Sequence, residues 1–330
     1  MERKNVLVPE ADLARQREFE VKIKEMFTQR EAHPVACVDT FGCQQNVADG
    51  QKLMGMLADC GFTLTDKPAE ADLVILNTCA VREHAEDRVF GNLGALTHAK
   101  KENPEMVICL CGCMAQETRV SERIKKSYPL VNLVFGPHAL WKFPELLWRV
   151  YESRKRVFSV DDEHGTIAEG IPVVREKGVK AWVSIMYGCN NFCSYCIVPY
   201  VRGRERSREP QAVLDEVKRL MDNGAQEIML LGHAAAKAQH HLRIFLLGVG
   251  QGAQVAKDPV LRVLPDGAGV QNHQIRLQRL VGEGEAALQQ HSHQLLAVRH
   301  ILLAAEGVHA GHGVRTRSAN IALIFPSNSR

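Results

Sequence analysis

Short apolar runs alternate with longer helix-like segments along the first two thirds of the chain. The runs predict buried strands at residues 35–40, 71–78, 106–111 and 133–136, and the segments between and after them predict helices at residues 46–58, 84–101, 116–126 and 143–152. Short buried strands that alternate with helices of ten or more residues indicate a parallel sheet with crossover helices. We therefore predict an open α/β domain over residues 34–150.

A second strand–helix–strand pattern follows a charged stretch. Residues 151–178 have little periodicity and are interpreted as a linker with a short hairpin. An apolar strand at residues 180–188 precedes a helix that opens on Pro210, and another apolar strand covers residues 225–232. This βαβ unit predicts that residues 179–232 form the start of a partial (β/α) barrel.

The composition of the chain changes at His233. Residues 234–330 contain no Cys, Trp or Tyr, and nine of the 14 His lie from His233 onward. A dinucleotide-fingerprint spacing at Gly248 and two His pairs, His291 with His293 and His309 with His312, occur there, but no surrounding pattern supports a site. We interpret residues 233–330 as an unrecognised extension produced by a reading-frame shift or a gene-assembly error. A barrel that stopped here would leave the edge of its last strand unpaired.

Charge and cysteine content narrow the functional classes. The net charge of +3 is too small to indicate a partner, and residues 1–33 form a polar leader without an apolar core. With no secretory signal and no apolar run of about 18 residues, we expect a cytoplasmic protein that does not enter a membrane. Ten cysteines in a reducing compartment predict ligands or buried thiols rather than disulfides.

Three cysteines lie just past the ends of predicted parallel strands. They are Cys43, Cys79 and Cys113, and glycines precede the first and the last of them. Because ligands bind beyond the carboxyl ends of strands in open α/β sheets, these thiols could meet at one place. The alternative is that they are ordinary buried residues, which is the role we assign to Cys37, Cys60, Cys109 and Cys111.

Three more cysteines follow the strand at residues 180–188 in the spacing CxxxCxxC. Cys189, Cys193 and Cys196 could hold an iron–sulfur cluster, which usually takes four thiolates. Three protein thiolates would leave one iron open to a substrate or cofactor. A zinc site completed by a remote His and a set of core cysteines are the alternatives.

The motifs that contain these cysteines resemble those of a known family. CNNFCSYC carries the cysteine pattern of radical S-adenosylmethionine enzymes, with the aromatic Tyr195 before the last cysteine. Together with TFGCQQN, NTCAVREHAEDRV, GCMAQ and IVPYVRGRERSR, it is similar to the methylthiotransferase family, most closely its MiaB-type, tRNA-modifying branch. The resemblance covers about residues 34–232.

The resemblance implies an enzyme with two [4Fe–4S] clusters and S-adenosylmethionine. Cys189, Cys193 and Cys196 would hold the cluster that binds and cleaves S-adenosylmethionine, and Cys43, Cys79 and Cys113 would hold the cluster that binds the sulfur to be inserted. The family substrate is N6-isopentenyladenosine next to the tRNA anticodon, which receives sulfur and a methyl group. We also expect a monomer and a one-electron donor such as a flavodoxin or ferredoxin.

A basic stretch follows the second group of cysteines. Seven Lys or Arg oppose only Glu176 and Glu205 between Arg175 and Arg208. Arg202 and Arg204 are therefore candidates, with Tyr195, for binding the cofactor carboxylate or RNA phosphates. A solvated loop face is an equal alternative.

Because the barrel is incomplete, other functions remain open at this level. The chain could be a catalytically incomplete iron–sulfur protein of this family, a methylthiotransferase for another tRNA adenosine, or a zinc-binding RNA protein. No residue is singled out as a catalytic acid or base.

Overall fold

The structure is a computed structural model that describes residues 7–80, 83–160, 166–175, 180–194, 196–225, 227–232, 260–265, 273–280 and 319–324. The chain divides into two compact units. The first unit comprises Met1–Glu176 and Phe192–Arg204, and the second comprises Lys177–Asn191 and Glu205–Arg330. Tyr195, Gly248 and the two His pairs of the tail lie outside the described residues.

The first unit contains a six-stranded sheet in which all pairings are parallel. Its spatial order is β2-β1-β3-β4-β5-β6. The strands are β1 Val35–Phe41, β2 Thr63–Thr65, β3 Leu73–Thr78, β4 Val107–Gly112, β5 Leu133–Phe135 and β6 Val157–Ser159. The order reverses between β1 and β3, which makes their carboxyl ends a topological switch point. The predicted α/β class is confirmed.

Helices cover both faces of this sheet. They are α1 Glu10–Gln29, α2 Gln44–Asp59, α3 Glu83–Glu102, α4 Thr118–Ser127 and α5 Phe143–Ser153, with 3-10 helices at Pro68–Glu70, Met114–Gln116 and Pro137–Lys142. Side chains alternate along the strands: Leu73 and Ile75 join the core under α2 and α5, whereas Val74 and Leu76 join the core under α3 and α4. Burial on both faces explains why these strands are continuous apolar runs.

Two parts of the first unit have no counterpart in the sequence prediction. The polar leader forms α1, which buries Ile23 completely and hydrogen-bonds through Gln16 to the backbone and side chain of Glu145. The charged stretch after α5 adds β6, which pairs in parallel with β5. The described part of residues 151–178 therefore extends the sheet instead of forming the expected hairpin.

The second unit contains the predicted βαβ pattern. Strands β7 Lys180–Ser184 and β10 Glu227–Leu231 pair in parallel and are joined through helix α7 Pro210–Asp222. A two-stranded antiparallel ribbon, β8 Met186–Tyr187 and β9 Arg206–Ser207, lies between them in sequence. A short helix, α6 Val198–Val201, lies in the segment that belongs to the first unit. The beginning of the expected barrel is thus present.

Three further strands come from the tail: β11 Val260–Pro265, β12 His273–Leu280 and β13 Ala319–Ile324. The sheet order is β11-β12-β13-β10-β7, and β13 is antiparallel to β10. The expectation that the edge of β10 would be unpaired was wrong, because Ala319–Ile324 supplies the missing ladder. An antiparallel neighbour does not continue the parallel pattern of a (β/α) barrel. Among the described helices, none is long and apolar enough to cross a membrane.

Candidate metal centre

The first group of cysteines lies at the carboxyl edge of the parallel sheet. Cys43 lies two residues past the end of β1 and is the N-cap residue of α2, Cys79 directly follows β3, and Cys113 directly follows β4. Since β1, β3 and β4 are neighbours in the sheet, residues far apart in sequence end at one edge. That edge includes the switch point, where open α/β sheets bind ligands.

Cys43 interacts with each of the other two thiols. Cys43 and Cys79 share a side-chain hydrogen bond, and Cys43 is also within electrostatic range of Cys113. The Cys43 thiol contacts Asn46 Oδ1 at 3.1 Å. Cys79 and Cys113 are each only 2% exposed. The fold thus brings together the three cysteines that the strand-end argument selected.

Close backbone approach at this edge depends on two glycines. A Cβ at Gly42 would lie 2.7 Å from Cys79 Cβ, and one at Gly112 would lie 2.3 Å from the carbonyl oxygen of Thr78. Gly112 also has a φ of +90°, in the region that side chains rarely adopt. These glycines allow the loops that carry Cys43 and Cys113 to lie against the end of β3.

Two buried asparagines connect the same loops. Asn46 donates to the carbonyl oxygen of Thr78 at 2.8 Å, and Asn77 donates to the carbonyl oxygen of Asn46 at 2.7 Å. Thr78 in turn donates to the carbonyl oxygen of Cys111 at 2.7 Å. Satisfied buried polar networks of this kind fix a single local arrangement. They hold the start of α2 and the ends of β3 and β4 in register.

Arg202 reaches this edge from the segment after the second group of cysteines. Its Nε donates to Cys113 Sγ at 2.9 Å, and its Nη2 donates to Asp49 Oδ2 at 2.8 Å. Arg202 is 4% exposed and Asp49 is 5% exposed. Burial disfavours the charged guanidinium, but the neighbouring Cys113, Asp49 and Cys43 outweigh it and raise the pKa of Arg202 well above its ordinary value.

The surroundings raise the pKa of the Cys113 and Cys43 thiols above the ordinary value. For Cys113 desolvation is the largest cause, and Arg202 opposes it. For Cys43 the hydrogen bond with Cys79 raises the pKa most, followed by burial. A metal bound here would displace these protons, because the thiolate is the ligand.

The donor chemistry at this edge fits an iron–sulfur cluster. Three thiol side chains converge, and iron–sulfur clusters are held by thiolates. In the positions shown, the described residues contain no group of three Cys, His, Asp or Glu side chains arranged to hold a metal ion. Binding would therefore require the thiols to lose their protons and reorient.

The second group of cysteines follows the β8 strand. Cys189 is buried, Cys193 is exposed, and Cys196 is half-buried. Cys189 belongs to the second unit, whereas Cys193 and Cys196 belong to the first. The backbone N–H of Cys196 donates to the carbonyl oxygen of Cys193 at 2.9 Å, which makes a tight turn between those two ligand candidates.

The arginines of the basic stretch have different environments. Arg202 is buried beside Cys113 at the carboxyl edge of the parallel sheet. Arg208 is buried in the second unit, where it pairs with Glu216 at 2.6 Å and donates to the carbonyl oxygen of Ser184. Arg204 is exposed, with its guanidinium 4.3 Å from the centre of the Phe192 ring. The alternation of arginines therefore does not produce one solvated face.

Phe192, Tyr200 and Arg204 form an exposed aromatic and cationic patch beside Cys193. The two rings are edge-to-face with centroids 5.8 Å apart, and Tyr200 is 66% exposed. Phe192 has a φ of +44°, which is unusual for an aromatic residue. The sequence alone did not predict this patch. It also did not predict the roles of Asp49, Asn46 and Asn77, although the motif TFGCQQN has polar residues where a helix would begin.

Comparison with known proteins agrees with the motifs. Residues 36–136 match the Uncharacterized protein family UPF0004, and residues 183–237 match the Radical SAM superfamily. The chain is similar to the tRNA-2-methylthio-N(6)-dimethylallyladenosine synthase of Acetivibrio thermocellus, with 52% identity over 235 residues that cover 70% of this chain and 49% of the relative. The protein of the same name from Clostridioides difficile is 47% identical over 234 residues, covering 70% of this chain and 49% of the relative.

Over this region the chain is similar to the radical S-adenosylmethionine methylthiotransferase family. The resemblance drawn from the cysteine motifs is confirmed. A third relative of that name, from Caldicellulosiruptor saccharolyticus, is 51% identical over 193 residues, covering 58% of this chain and 41% of the relative. The chain spans about half the length of the curated relatives it matches. A solved radical S-adenosylmethionine methyltransferase, TsrM from Kitasatospora setae, is 14% identical with a TM-score of 0.45, covering 68% of this chain and 52% of that one.

Proposed function

We propose that this chain inserts sulfur and a methyl group into N6-isopentenyladenosine next to the anticodon of tRNA. The observation that carries the proposal is the convergence of Cys43, Cys79 and Cys113 at the switch point of a parallel sheet, in a chain that also has the CxxxCxxC motif. Two separate sets of three thiols match a reaction that needs two metal centres. Relatives of about 50% identity carry the name of this activity.

In this proposal Cys189, Cys193 and Cys196 hold one [4Fe–4S] cluster and Cys43, Cys79 and Cys113 hold a second. When bound, the clusters and S-adenosylmethionine supply the radical and sulfur-transfer chemistry, and the protein positions them. The exposure of Cys193 leaves its side of the first cluster accessible to the cofactor. Burial of Cys79 and Cys113 keeps water away from the second cluster.

We assign RNA contact to the patch of Phe192, Tyr200 and Arg204. Aromatic rings and arginine side chains stack on unpaired bases, and sequence-specific RNA recognition mostly targets unpaired nucleotides. Arg204 remains a candidate for a phosphate or the cofactor carboxylate, as does Tyr195 for the cofactor. Arg202 is instead assigned to the carboxyl edge of the sheet, because it donates hydrogen bonds to Cys113 and Asp49 there.

The remaining parts of the proposal concern the context of the reaction. We propose a monomer in the cytoplasm that receives single electrons from a flavodoxin or ferredoxin. We keep the domain boundaries predicted from the sequence, and we keep the origin of residues 233–330 in a reading-frame shift or a gene-assembly error. Sequencing the gene across codon 233 tests that origin, and an intact frame there would refute it.

Formation of 5′-deoxyadenosine tests the enzyme proposal. The chain is reconstituted anaerobically with iron and sulfide, then mixed with dithionite and S-adenosylmethionine. We expect product from the wild type and none from Cys193→Ala, with Cys60→Ala as a control because Cys60 is a core thiol. Two clusters without product would contradict the activity while leaving the family resemblance in place.

The RNA substrate is tested separately. An anticodon stem-loop that carries N6-isopentenyladenosine should gain the mass of a methylthio group, and the same stem-loop with unmodified adenosine should not. Equal reaction of both RNAs would refute the proposed substrate.

A further inference from the structure

We propose that Arg202 is a positioning residue for the metal centre of Cys43, Cys79 and Cys113: it holds the Cys113 sulfur and stabilises negative charge on that sulfur, while Asp49 fixes its orientation. This inference rests on the proposed function, because it assumes that the three thiols hold a cluster. It adds a residue outside the ligand set, contributed by a segment 89 positions along the chain from Cys113.

The geometry gives Arg202 one orientation. Nε faces Cys113 Sγ at 2.9 Å and Nη2 faces Asp49 Oδ2 at 2.8 Å, so different nitrogens of the planar guanidinium make the two contacts. Both charged groups are almost completely buried. Asp49 also accepts from Gln45 Nε2 at 3.3 Å, which anchors the carboxylate on helix α2. An arginine in such a rigid fork presents its N–H to the sulfur at a defined position.

The Arg202–Asp49 ion pair is oriented with its positive end toward the Cys113 sulfur. Asp49 neutralises the overall charge of Arg202, but the positive guanidinium is the member next to Cys113. Hydrogen bonds and charge near cluster sulfurs set reduction potentials, because they stabilise the reduced, more negative cluster. Arg202 should therefore raise the reduction potential of this centre.

The contact also has a consequence for assembly. Arg202 lies nine residues after Cys193 and six after Cys196, in the segment that packs with the first unit. Cys113 is therefore held in place by the same segment that carries two ligand candidates of the other centre. Correct folding of that segment would precede efficient loading of the buried thiols.

The test isolates the buried centre. In the full-length chain with Cys189→Ala, Cys193→Ala and Cys196→Ala, only Cys43, Cys79 and Cys113 of the proposed ligands remain. This protein is reconstituted anaerobically with iron and sulfide, and its iron content and midpoint potential are measured by redox titration with EPR detection. The same measurements follow on three added changes: Arg202→Gln, Arg202→Lys, and Arg202→Gln combined with Asp49→Asn.

We expect Arg202→Gln to make the midpoint potential more negative. The ratio of reduced to oxidised cluster at a fixed potential should fall about tenfold, which corresponds to ~59 mV for one electron. Arg202→Lys should shift it less, because the charge is kept. The double variant leaves no buried carboxylate unpaired, so it separates the effect on the cluster from a folding defect. Loss of iron in Arg202→Gln with retained folding by circular dichroism would also support the positioning role.

Arg208→Gln is the matched control. Arg208 is equally buried and paired with a carboxylate, but its described partners are Glu216 and the carbonyl oxygen of Ser184 rather than a cysteine. It should leave iron content and potential unchanged. Identical potentials and iron contents in the wild type and all Arg202 variants would overturn this inference alone. No iron in the parent that retains Cys43, Cys79 and Cys113 would refute the second cluster itself, and this inference with it.

Discussion

The two groups of cysteines reach their positions by different physical routes. Cys189, Cys193 and Cys196 lie within eight residues, so local spacing alone keeps them close. Cys43, Cys79 and Cys113 span 71 residues and meet only because β1, β3 and β4 are parallel neighbours. One site depends on a loop, and the other depends on a sheet.

The difference also appears in the surroundings. Cys79 and Cys113 lie in a buried polar network that includes Asn77 and Arg202, whereas Cys193 is exposed. A site assembled by tertiary structure can exclude water and hold the surrounding side chains in place. Such a site forms only when the whole unit is folded. A loop site remains accessible but receives less support from the core. The buried surroundings of Cys79 and Cys113 and the exposure of Cys193 are the environments that the proposed sulfur-holding and cofactor-binding clusters would need.

The largest expected effect comes from removing one ligand of the sheet site. Cys113→Ala should lower the iron content of the reconstituted chain from about eight atoms to about four, since two four-iron clusters become one. Iron and acid-labile sulfide per chain measure this. Cys111→Ala is the control: this thiol is fully buried two residues away, in the core and outside the proposed ligand set, and should leave iron unchanged. Equal iron in all three proteins would refute the ligand assignment.

The next largest expected effect is a loss of stability when Gly112, which precedes Cys113 at the carboxyl edge of the sheet, gains a side chain. Gly112→Ala would place a Cβ 2.3 Å from the Thr78 carbonyl oxygen and force Ala to a φ of +90°. We expect a loss of about 3–5 kcal/mol in the free energy of unfolding, measured by urea denaturation. Gly170→Ala is matched because its φ is +72° with nothing near the added Cβ, so it should cost only about 1 kcal/mol. Equal losses would show that close approach to β3 is unimportant.

A moderate effect is expected at the exposed patch of the loop site. Tyr200→Ala should weaken binding of an anticodon stem-loop by about tenfold, since one stacked base contributes ~1–3 kcal/mol. Fluorescence anisotropy measures the dissociation constant at fixed salt. Because Tyr200 is 66% exposed, the thermal unfolding midpoint should not change. Unchanged RNA affinity would show that this patch does not contact RNA. Tyr187→Phe is a conservative control, because Tyr187 lies outside the patch.

The smallest expected effect is on the pH dependence of stability at Glu20 in helix α1. Burial, reinforced by Asp59 and opposed by Arg17, raises the pKa of Glu20 in α1 to about 7. Because this pKa exceeds the unfolded value, the folded state binds more protons between about pH 4.5 and 7, so Glu20 reduces stability as pH rises through that window. Glu20→Gln should stabilise the protein by about 1–2 kcal/mol at pH 8 and have little effect at pH 5. Chemical denaturation at both pH values measures this, and an equal gain at both would contradict the raised pKa.

Much of the first unit was predictable from sequence because its strands are buried on both faces. Continuous apolar runs marked β1, β3, β4 and β5, and the rule for carboxyl strand ends selected the three cysteines. Strands β2 and β6 were missed because they are short and only partly buried, so they do not form apolar runs, whereas the equally short β5 is buried throughout. Helix α1 was missed because it buries Gln16 and Glu20 along with Ile23, so its inner face does not read as apolar.

The surroundings of the sites were less predictable than the ligands. Arg202 belongs to a run of alternating arginines, and nothing in that run distinguishes a buried residue from an exposed one. Its partner Asp49 lies 153 residues away, so only tertiary structure reveals the pair. The pairing of β10 with β13 was missed for the same reason: strand partners separated by a long segment leave no local signal.

The most direct test of two independent centres is iron and acid-labile sulfide in three full-length proteins. They are the wild type, a variant with Cys43, Cys79 and Cys113 changed to Ala, and a variant with Cys189, Cys193 and Cys196 changed to Ala. We predict about eight iron atoms in the wild type and about four in each variant, with EPR spectra of the two variants that sum to the wild-type spectrum. About four iron atoms in the wild type, all lost with one set of cysteines and none with the other, would contradict the account.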